Sequence, residues 1–201
     1  IAGAICQYRN TINYYYYIPE SLKTVKINGG AIGYHAFYNC NSLTNIMIGN
    51  NVTSIGDKAF YNCGNLNSIT MPNSITDIGS SAFEDCRSLT SITIPDSVTS
   101  IGDEAFRYCR NLYSTTIGNG VTSIGYGAFD DCSSLTNINV KWENATYKSI
   151  DGNLYSKDGT MVRYAIGKSD NSFKIPSGVT SIKNGAFKGC TNLTSITIPY
   201  S

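Results

Sequence analysis

One pair of residues, Ala-Phe, returns along this chain at a fixed distance, and that return restricts the fold more than any other feature. Ala36-Phe37, Ala59-Phe60, Ala82-Phe83, Ala105-Phe106 and Ala128-Phe129 stand 23 residues apart, and Ala186-Phe187 follows after 58. Three residues after each Phe comes a cysteine (Cys40, Cys63, Cys86, Cys109, Cys132, Cys190), and three later a leucine (Leu43, Leu66, Leu89, Leu112, Leu135, Leu193). A unit of this length cannot bury its own apolar side. Units stacked in register can, because each Ile, Phe and Cys then meets its copy in the next coil.

The unit from Leu89 to Cys109 shows how one coil is built. Ile92 and Ile94 alternate with polar neighbours, the period of a half-buried strand, and Pro95 removes a ladder donor and ends it. Val98 and Ile101 form a second apolar pair, and Gly102 is read as a turn. Ala105, Phe106 and Cys109 are expected on one side of a short helical or 3₁₀ turn. Strands stacked about 4.8 Å apart would make one long parallel sheet.

The rule bends in three places. Between Val140 and Ile175 the step is 35 residues, so one coil carries 12 extra. Asp151-Gly152 and Asp158-Gly159 are hairpin turn signals, and Ser149 to Tyr164 is expected to contain a β-hairpin projecting from the stack. The alternative reading is a domain boundary at this point. Thr115 stands where other rungs carry Ile. Residues 1–21 are irregular: Leu22, Val25 and Ile27 fit a first strand, but Ile18-Pro19-Glu20-Ser21-Leu22 also matches Ile94-Pro95-Asp96-Ser97-Val98. The run Tyr14 to Tyr17 is expected to cover the open end of the stack. Ile1 at the first position reads as a natural start removed, and Tyr200-Ser201 just after a strand reads as a cut within a longer array.

The pattern Leu-x-x-Ile-x-Ile-Pro-x-Ser-Val-x-x-Ile-Gly-x-x-Ala-Phe-x-x-Cys resembles the BspA-like leucine-rich repeats, also called the Treponema pallidum type. The likeness covers roughly Ser21 to Ser201. Residues and resemblance together predict a single domain over 1–201: a right-handed, strand-rich α/β leucine-rich-repeat solenoid with a parallel sheet. Its parts are an irregular cap at 1–21, short helical or 3₁₀ turns at the Ala-Phe-x-x-Cys segments, and one β-hairpin insertion within the repeat at 141–172. The resemblance implies an extracellular or cell-surface protein of a host-associated microbe, with a host or neighbouring-cell surface protein, a matrix protein or a glycan as partner.

Chemistry has little to build on. Seven cysteines invite a disulfide reading, since neighbouring copies in a stack would lie within bridging reach. The simpler reading is a column of small buried hydrophobes. No Cys-x-x-Cys occurs, the one histidine is His35, and no zinc site, other metal or cofactor is expected. His35 shares its repeat position with Lys58, Ser81, Glu104 and Gly127, which suits a surface side chain better than a catalytic base. Glu84-Asp85 and Asp130-Asp131 flank the Phe turn and are expected in solvent. No enzyme is predicted.

A binding surface has a geometric basis. With the strand isoleucines pointing inward, the residues between them point outward in columns. One runs Thr24, Asn45, Ser68, Ser91, Ser114, Asn137, Ser195, and the other Lys26, Met47, Thr70, Thr93, Thr116, Asn139, Thr197. Asn45 to Asn139 of these, with Trp142, are the candidate ligand-binding residues, although Thr is equally an ordinary solvent-facing strand residue. A second candidate surface is the insertion, with Trp142, Tyr147, Tyr155 and Tyr164; by register Tyr155 belongs to the core, and Trp142 could anchor the hairpin. Lys plus Arg (15) nearly balance Asp plus Glu (14), which offers nucleic acid no basic field, and no apolar run is long enough to insert in a membrane. The expectation is a non-enzymatic binding or adhesion module, with a structural spacer displaying another domain as the alternative.

Overall fold

A computed structural model describes residues 21–199. The proposed tyrosine cap, Cys6 and the competing register through Ile18 lie outside the described residues. The chain begins with two long strands, β1 (Thr24–Ile32) and β2 (Asn45–Ile55). Each then divides into a first and a second strand per coil: β3 (Ser68–Thr70) and β4 (Asp77–Ile78), β5 (Ser91–Thr93) and β6 (Ser100–Ile101), β7 (Ser114–Ile117) and β8 (Ser123–Ile124). The division has a local cause. Pro72 and Pro95 break the strand in their coils, whereas β2 runs unbroken through Gly49-Asn50-Asn51.

Pairing is parallel and in register. Val25 lies opposite Ile46, and Ile46 opposite Ile69, so the first-strand reading of Val25 and Ile27 is the one adopted. The second strands form the ladder β2-β4-β6-β8, with Ile55, Ile78, Ile101 and Ile124 in file. Phe37, Phe60, Phe83, Phe106 and Phe129 stack with centroids 5.2–5.4 Å apart, all buried. Beside them four buried thiols donate to the carbonyl of the preceding coil's Phe: Cys63 to Phe37 and Cys132 to Phe106 at 3.1 Å, Cys86 to Phe60 and Cys109 to Phe83 at 3.2 Å. Thr115 sits in its rung fully buried, its hydroxyl without a hydrogen-bond partner.

The Ala-Phe-x-x-Cys segments are not helical; the described residues contain no α- or 3₁₀-helix, and the α component of the expected fold is absent from them. The reason lies in the backbone bonds. Within one turn Ala59 N–H bonds Gly56 O, Tyr61 bonds Lys58 and Cys63 bonds Phe60, each at 3.2 Å. The amides between them point to the next coil: Lys58 to Ser80 O at 2.8 Å, Phe60 to Ala82 O at 2.8 Å, Asn62 to Glu84 O at 2.7 Å. A helix would aim every amide back along its own axis. Here Lys58 and Asn62 take left-handed φ of 53° and redirect alternate amides along the stack. The other expectation corrected is Gly102 as a turn former. Its amide bonds Ile78 O at 2.8 Å, and a Cβ there would lie 2.5 Å from Ser80 N and 2.6 Å from Gly79 C. Close approach of adjacent coils, not turn geometry, requires the glycine.

The long coil follows β9 (Asn137–Val140) with β10 (Tyr147–Ile150), β11 (Asn153–Ser156) and β12 (Thr160–Arg163), paired antiparallel in succession. Asp151 (φ 50°) and Gly152 (φ 73°) make the first turn, both left-handed as such a tight turn demands. The expected projecting hairpin is not found. Leu154, Tyr155, Met161 and Tyr164 are buried, and β12 pairs in parallel with β14 (Ser181–Ile182). β13 (Ser172–Lys174) pairs likewise with β15 (Ser195–Thr197). The extra residues are thus folded into the stack. Asn144, wholly buried, ties them down: its amide donates to Gly118 O (2.8 Å) and Val121 O (3.0 Å) and accepts from Thr146 and Tyr147 N–H.

Candidate binding surface

The first strands set the candidate residues on one outer face. Asn45, Ser68, Thr70, Ser91, Thr93 and Asn139 are exposed, Met47 is 47% exposed, and Ser114, Thr116 and Asn137 are half-buried. Trp142 is 86% exposed, so it anchors nothing in the insertion; Tyr155 and Tyr164 are buried, and Tyr147 accepts the Ile124 N–H through its hydroxyl at 3.2 Å. Tyr147, Tyr155 and Tyr164 are therefore interior, Phe173 is half-buried, and Trp142 stands outside.

The outer face is not continuous. β1-β2-β3 zip together, and so do β5-β7-β9, but β3 and β5 share no ladder although their Cα atoms come within 8 Å. Where the strands leave the sheet, Pro72 and Pro95 stand in the same repeat register. At the next rung the partner is Gly118, so close that a Cβ would lie 2.4 Å from Pro95 O. Prolines in this register do not by themselves part the strands, since Pro176 and Pro199 share it and β13 and β15 are paired. At the unpaired rung lies a groove of about 430 Å³ lined by Ser68, Ile69, Thr70, Met71, Asn73, Ser91, Ile92, Thr93, Pro95, Asp96 and Lys141. Four predicted residues, Ser68, Thr70, Ser91 and Thr93, thus meet at one place. At the rim Asp96 pairs with Lys141 at 2.7 Å and accepts Asn119 N–H at 2.9 Å. The Lys141 hydrogen bond, then the Asn119 amide, hold its carboxyl below the usual carboxylate range.

The turn face holds what sequence reasoning missed. Glu84 and Asp130, expected in solvent, are buried at 7% and 4% exposure. Tyr38, Tyr61, Glu84, Arg107, Asp130 and Lys188 occupy one repeat register, so neighbours along the stack cover the carboxylates. Asp130 takes Arg163 Nη1 at 2.9 Å and Lys188 Nζ at 2.7 Å, and Arg163 also donates to Gly185 O at 2.8 Å. Toward the other end, Tyr34, His35, Tyr38 and Tyr61 stack with centroids 3.8, 4.5 and 4.8 Å apart. Tyrosine recurring in one register at Tyr38 and Tyr61 was the available signal.

Burial works against activation of the repeat thiols at Cys86, Cys109, Cys132 and Cys190. Burial pushes the Cys132 thiol up to about 12 and Cys190 up to about 11, and raises Cys86 and Cys109 as well, while reactivity needs the thiolate. The six repeat thiols are free. Among the described residues no group of three or more His, Cys, Asp or Glu is placed to hold a metal ion, and no helix is long and apolar enough to cross a membrane.

Six copies of the BspA-type leucine-rich-repeat region match residues 30–160 and 166–201. The chain belongs to the BspA-type leucine-rich-repeat family. Similar solved structures agree on the fold of this BspA-type array. The pneumococcal vaccine antigen PcpA is 27% identical, with a TM-score of 0.81 over 92% of this chain and 46% of its own. A leucine-rich cell surface protein of Faecalibacterium prausnitzii is 33% identical, with a TM-score of 0.59 over 89% of this chain and 55% of its own. A Treponema pallidum leucine-rich-repeat protein is 26% identical, with a TM-score of 0.59 over 87% of this chain and 68% of its own. The BspA-type chain thus spans about half the length of the first two. No curated protein matches it.

Proposed function

We propose that this chain is a non-enzymatic binding module displayed outside the cell, presenting the outer face of its first-strand sheet to a surface protein, matrix protein or glycan. The observation that carries the reading is the groove between β3 and β5, where the regular sheet opens and predicted outward residues from two coils converge. A fixed array of hydroxyls and amides binds with little ordering cost, because the strands beneath are already locked in register. The relatives named as a cell surface protein and as a vaccine antigen support an extracellular setting.

The uninterrupted core from Ile32 to Ala165 also suits a stiff spacer holding another domain away from a surface. One experiment separates the readings. The full chain, immobilised, is exposed to fibronectin, fibrinogen, laminin, epithelial cells and a glycan array, beside variants carrying Lys in place of Ser68, Ser91 and Asn137. Binding lost in the face variants is expected. Binding absent throughout, or unchanged by them, refutes the outer-face module.

A further inference from the structure

We propose that a small cavity between the Phe129 turn and the long coil binds a single chloride ion, an inference independent of the outer-face reading. The cavity arises because the repeat contracts at this point. Tyr164 N–H bonds Ala186 O at 2.9 Å, as Phe106 N–H bonds Ala128 O at 2.8 Å, so Tyr164 holds the phenylalanine register of its coil. Lys183 N–H bonds Met161 O as Gly125 N–H bonds Ile101 O, both at 2.8 Å, which sets Val162 and Lys183 in the glycine register. Tyr164 therefore follows Val162 by two residues, where Phe129 follows Gly125 by four. A Cβ at Gly125 would lie 2.4 Å from Asp103 N, so a valine in this register cannot make the usual close approach. The second-strand ladder accordingly ends at β8. Between the coils lies a cavity of about 30 Å³ whose walls include Gly127, Phe129, Asp130, Val162, Arg163 and Lys183. Its volume suits one water or one small ion.

The wall chemistry selects the ion. In the preceding turn alternate amides bond forward, Glu104 N–H to Tyr126 O and Phe106 N–H to Ala128 O, both at 2.8 Å. Gly127 keeps the left-handed φ of that turn, 64° against 56° at Glu104, so the Gly127 and Phe129 amides face the long coil in the same way. The contracted coil gives neither of them an acceptor among the described residues. Arg163 is 5% exposed, and its Nε is buried without a hydrogen-bond partner. Acceptors beside the cavity are already engaged. Phe129 O takes Arg163 Nη2 at 3.3 Å, Gly185 O takes Arg163 Nη1 at 2.8 Å, and Ile124 O takes Lys183 Nζ at 3.4 Å. The Asp130 carboxylate takes Arg163 at 2.9 Å and Lys188 at 2.7 Å. A water would need acceptors for its own hydrogens, whereas an anion only accepts. Charge agrees, since the walls carry two cations, Arg163 and Lys183, against one carboxylate that Lys188 also neutralises. Amides around a left-handed residue form a concave anion-binding nest.

The test melts the full chain in sodium chloride, bromide and gluconate at one ionic strength, and grows crystals in bromide. Halide at ten times its Kd is expected to raise Tm above the gluconate value by about 3–6 °C. Bromide is expected to give an anomalous peak in the cavity beside Arg163 Nε. Val162→Leu fills the space without touching a charge and should abolish the halide shift. Lys183→Gln should weaken halide binding by about tenfold, with Lys174→Gln as the unchanged control. Superposable melts in halide and gluconate, a cavity density identical in chloride and bromide, or a full halide shift in a Val162→Leu chain that melts like the parent in gluconate would each overturn the proposal. Should Val162→Leu fail to fold, the bromide peak in the parent chain decides alone.

Discussion

Phe83→Ala tests the stacked interior where it is most continuous. Phe83 is fully buried between Phe60 (5.2 Å, 16° between planes) and Phe106 (5.4 Å, 1°). Truncating a core Phe costs about 3–5 kcal/mol in lost transfer energy and residual cavity. Two ring pairs are lost as well, each worth about 0.5–1.5 kcal/mol. The backbone around the cavity cannot collapse freely, since Phe83 N–H is bonded to Ala105 O and Phe60 N–H to Ala82 O, both at 2.8 Å. The expected loss is therefore at the upper end, about 4–5 kcal/mol, a large share of the roughly 5–15 kcal/mol that a domain holds. Phe83→Leu keeps most of the volume and should lose about 1–2 kcal/mol. Urea unfolding followed by circular dichroism gives both numbers. Because each coil is held by its neighbours, Phe83→Ala should also broaden the transition as the two flanks uncouple. A loss below about 1.5 kcal/mol, or equal losses for Ala and Leu, would refute the phenylalanine column as the element that couples the coils.

Four more outcomes follow from single contacts. Thr115→Val removes a buried hydroxyl without a partner and should raise stability by about 1–2 kcal/mol, read as a higher urea midpoint. Gly102→Ala forces a Cβ against Ser80 N at 2.5 Å and should cost at least about 1–3 kcal/mol by the same measurement. Asp130→Ala strands Arg163, whose side chain is 6% exposed, and should cost about 3–5 kcal/mol, whereas Asp96→Ala at the open rim should cost under about 1 kcal/mol. Among the six repeat cysteines, half-buried Cys190 should be alkylated first by iodoacetamide at mildly alkaline pH, with Cys63, Cys86, Cys109 and Cys132 resistant until unfolding; peptide mapping by mass spectrometry checks the order.

What could be read from the sequence was whatever side-chain identity encodes. Phe37, Phe60, Phe83, Phe106 and Phe129 are one residue type at one spacing, and the outward hydroxyls follow from alternation with Ile46, Ile69 and Ile92. Backbone conformation was hidden at one of the two left-handed positions in each turn. There His35, Lys58, Ser81 and Glu104 adopt φ between 52° and 57°, and only His is a type enriched at such angles, whereas the other position repeats Asn39, Asn62, Asp85 and Asp131, types that do favour it. Burial of Asp130 was hidden for another reason: its cover comes from Arg163 in the folded-in insertion and from Lys188 beyond it.

The groove lies between these cases. Proline at the strand end is visible at Pro72 and Pro95, but its effect depends on what lies beside it. With Gly49 opposite Pro72 the rung closes, as it does with Pro95 opposite Gly118; with Pro72 beside Pro95 it opens, yet with Pro176 beside Pro199 in the same register β13 and β15 stay paired. A single proline ends a strand without separating the rungs, since a glycine neighbour can still draw close. Two consecutive prolines in this register therefore do not suffice to part the strands, because β13 and β15 pair beneath Pro176 and Pro199. Pro95→Gly should accordingly leave β3 and β5 unpaired, with amide exchange at residues 68–70 and 91–93 as fast as in the parent. Slowed exchange there would show that Pro95 holds the sheet apart after all.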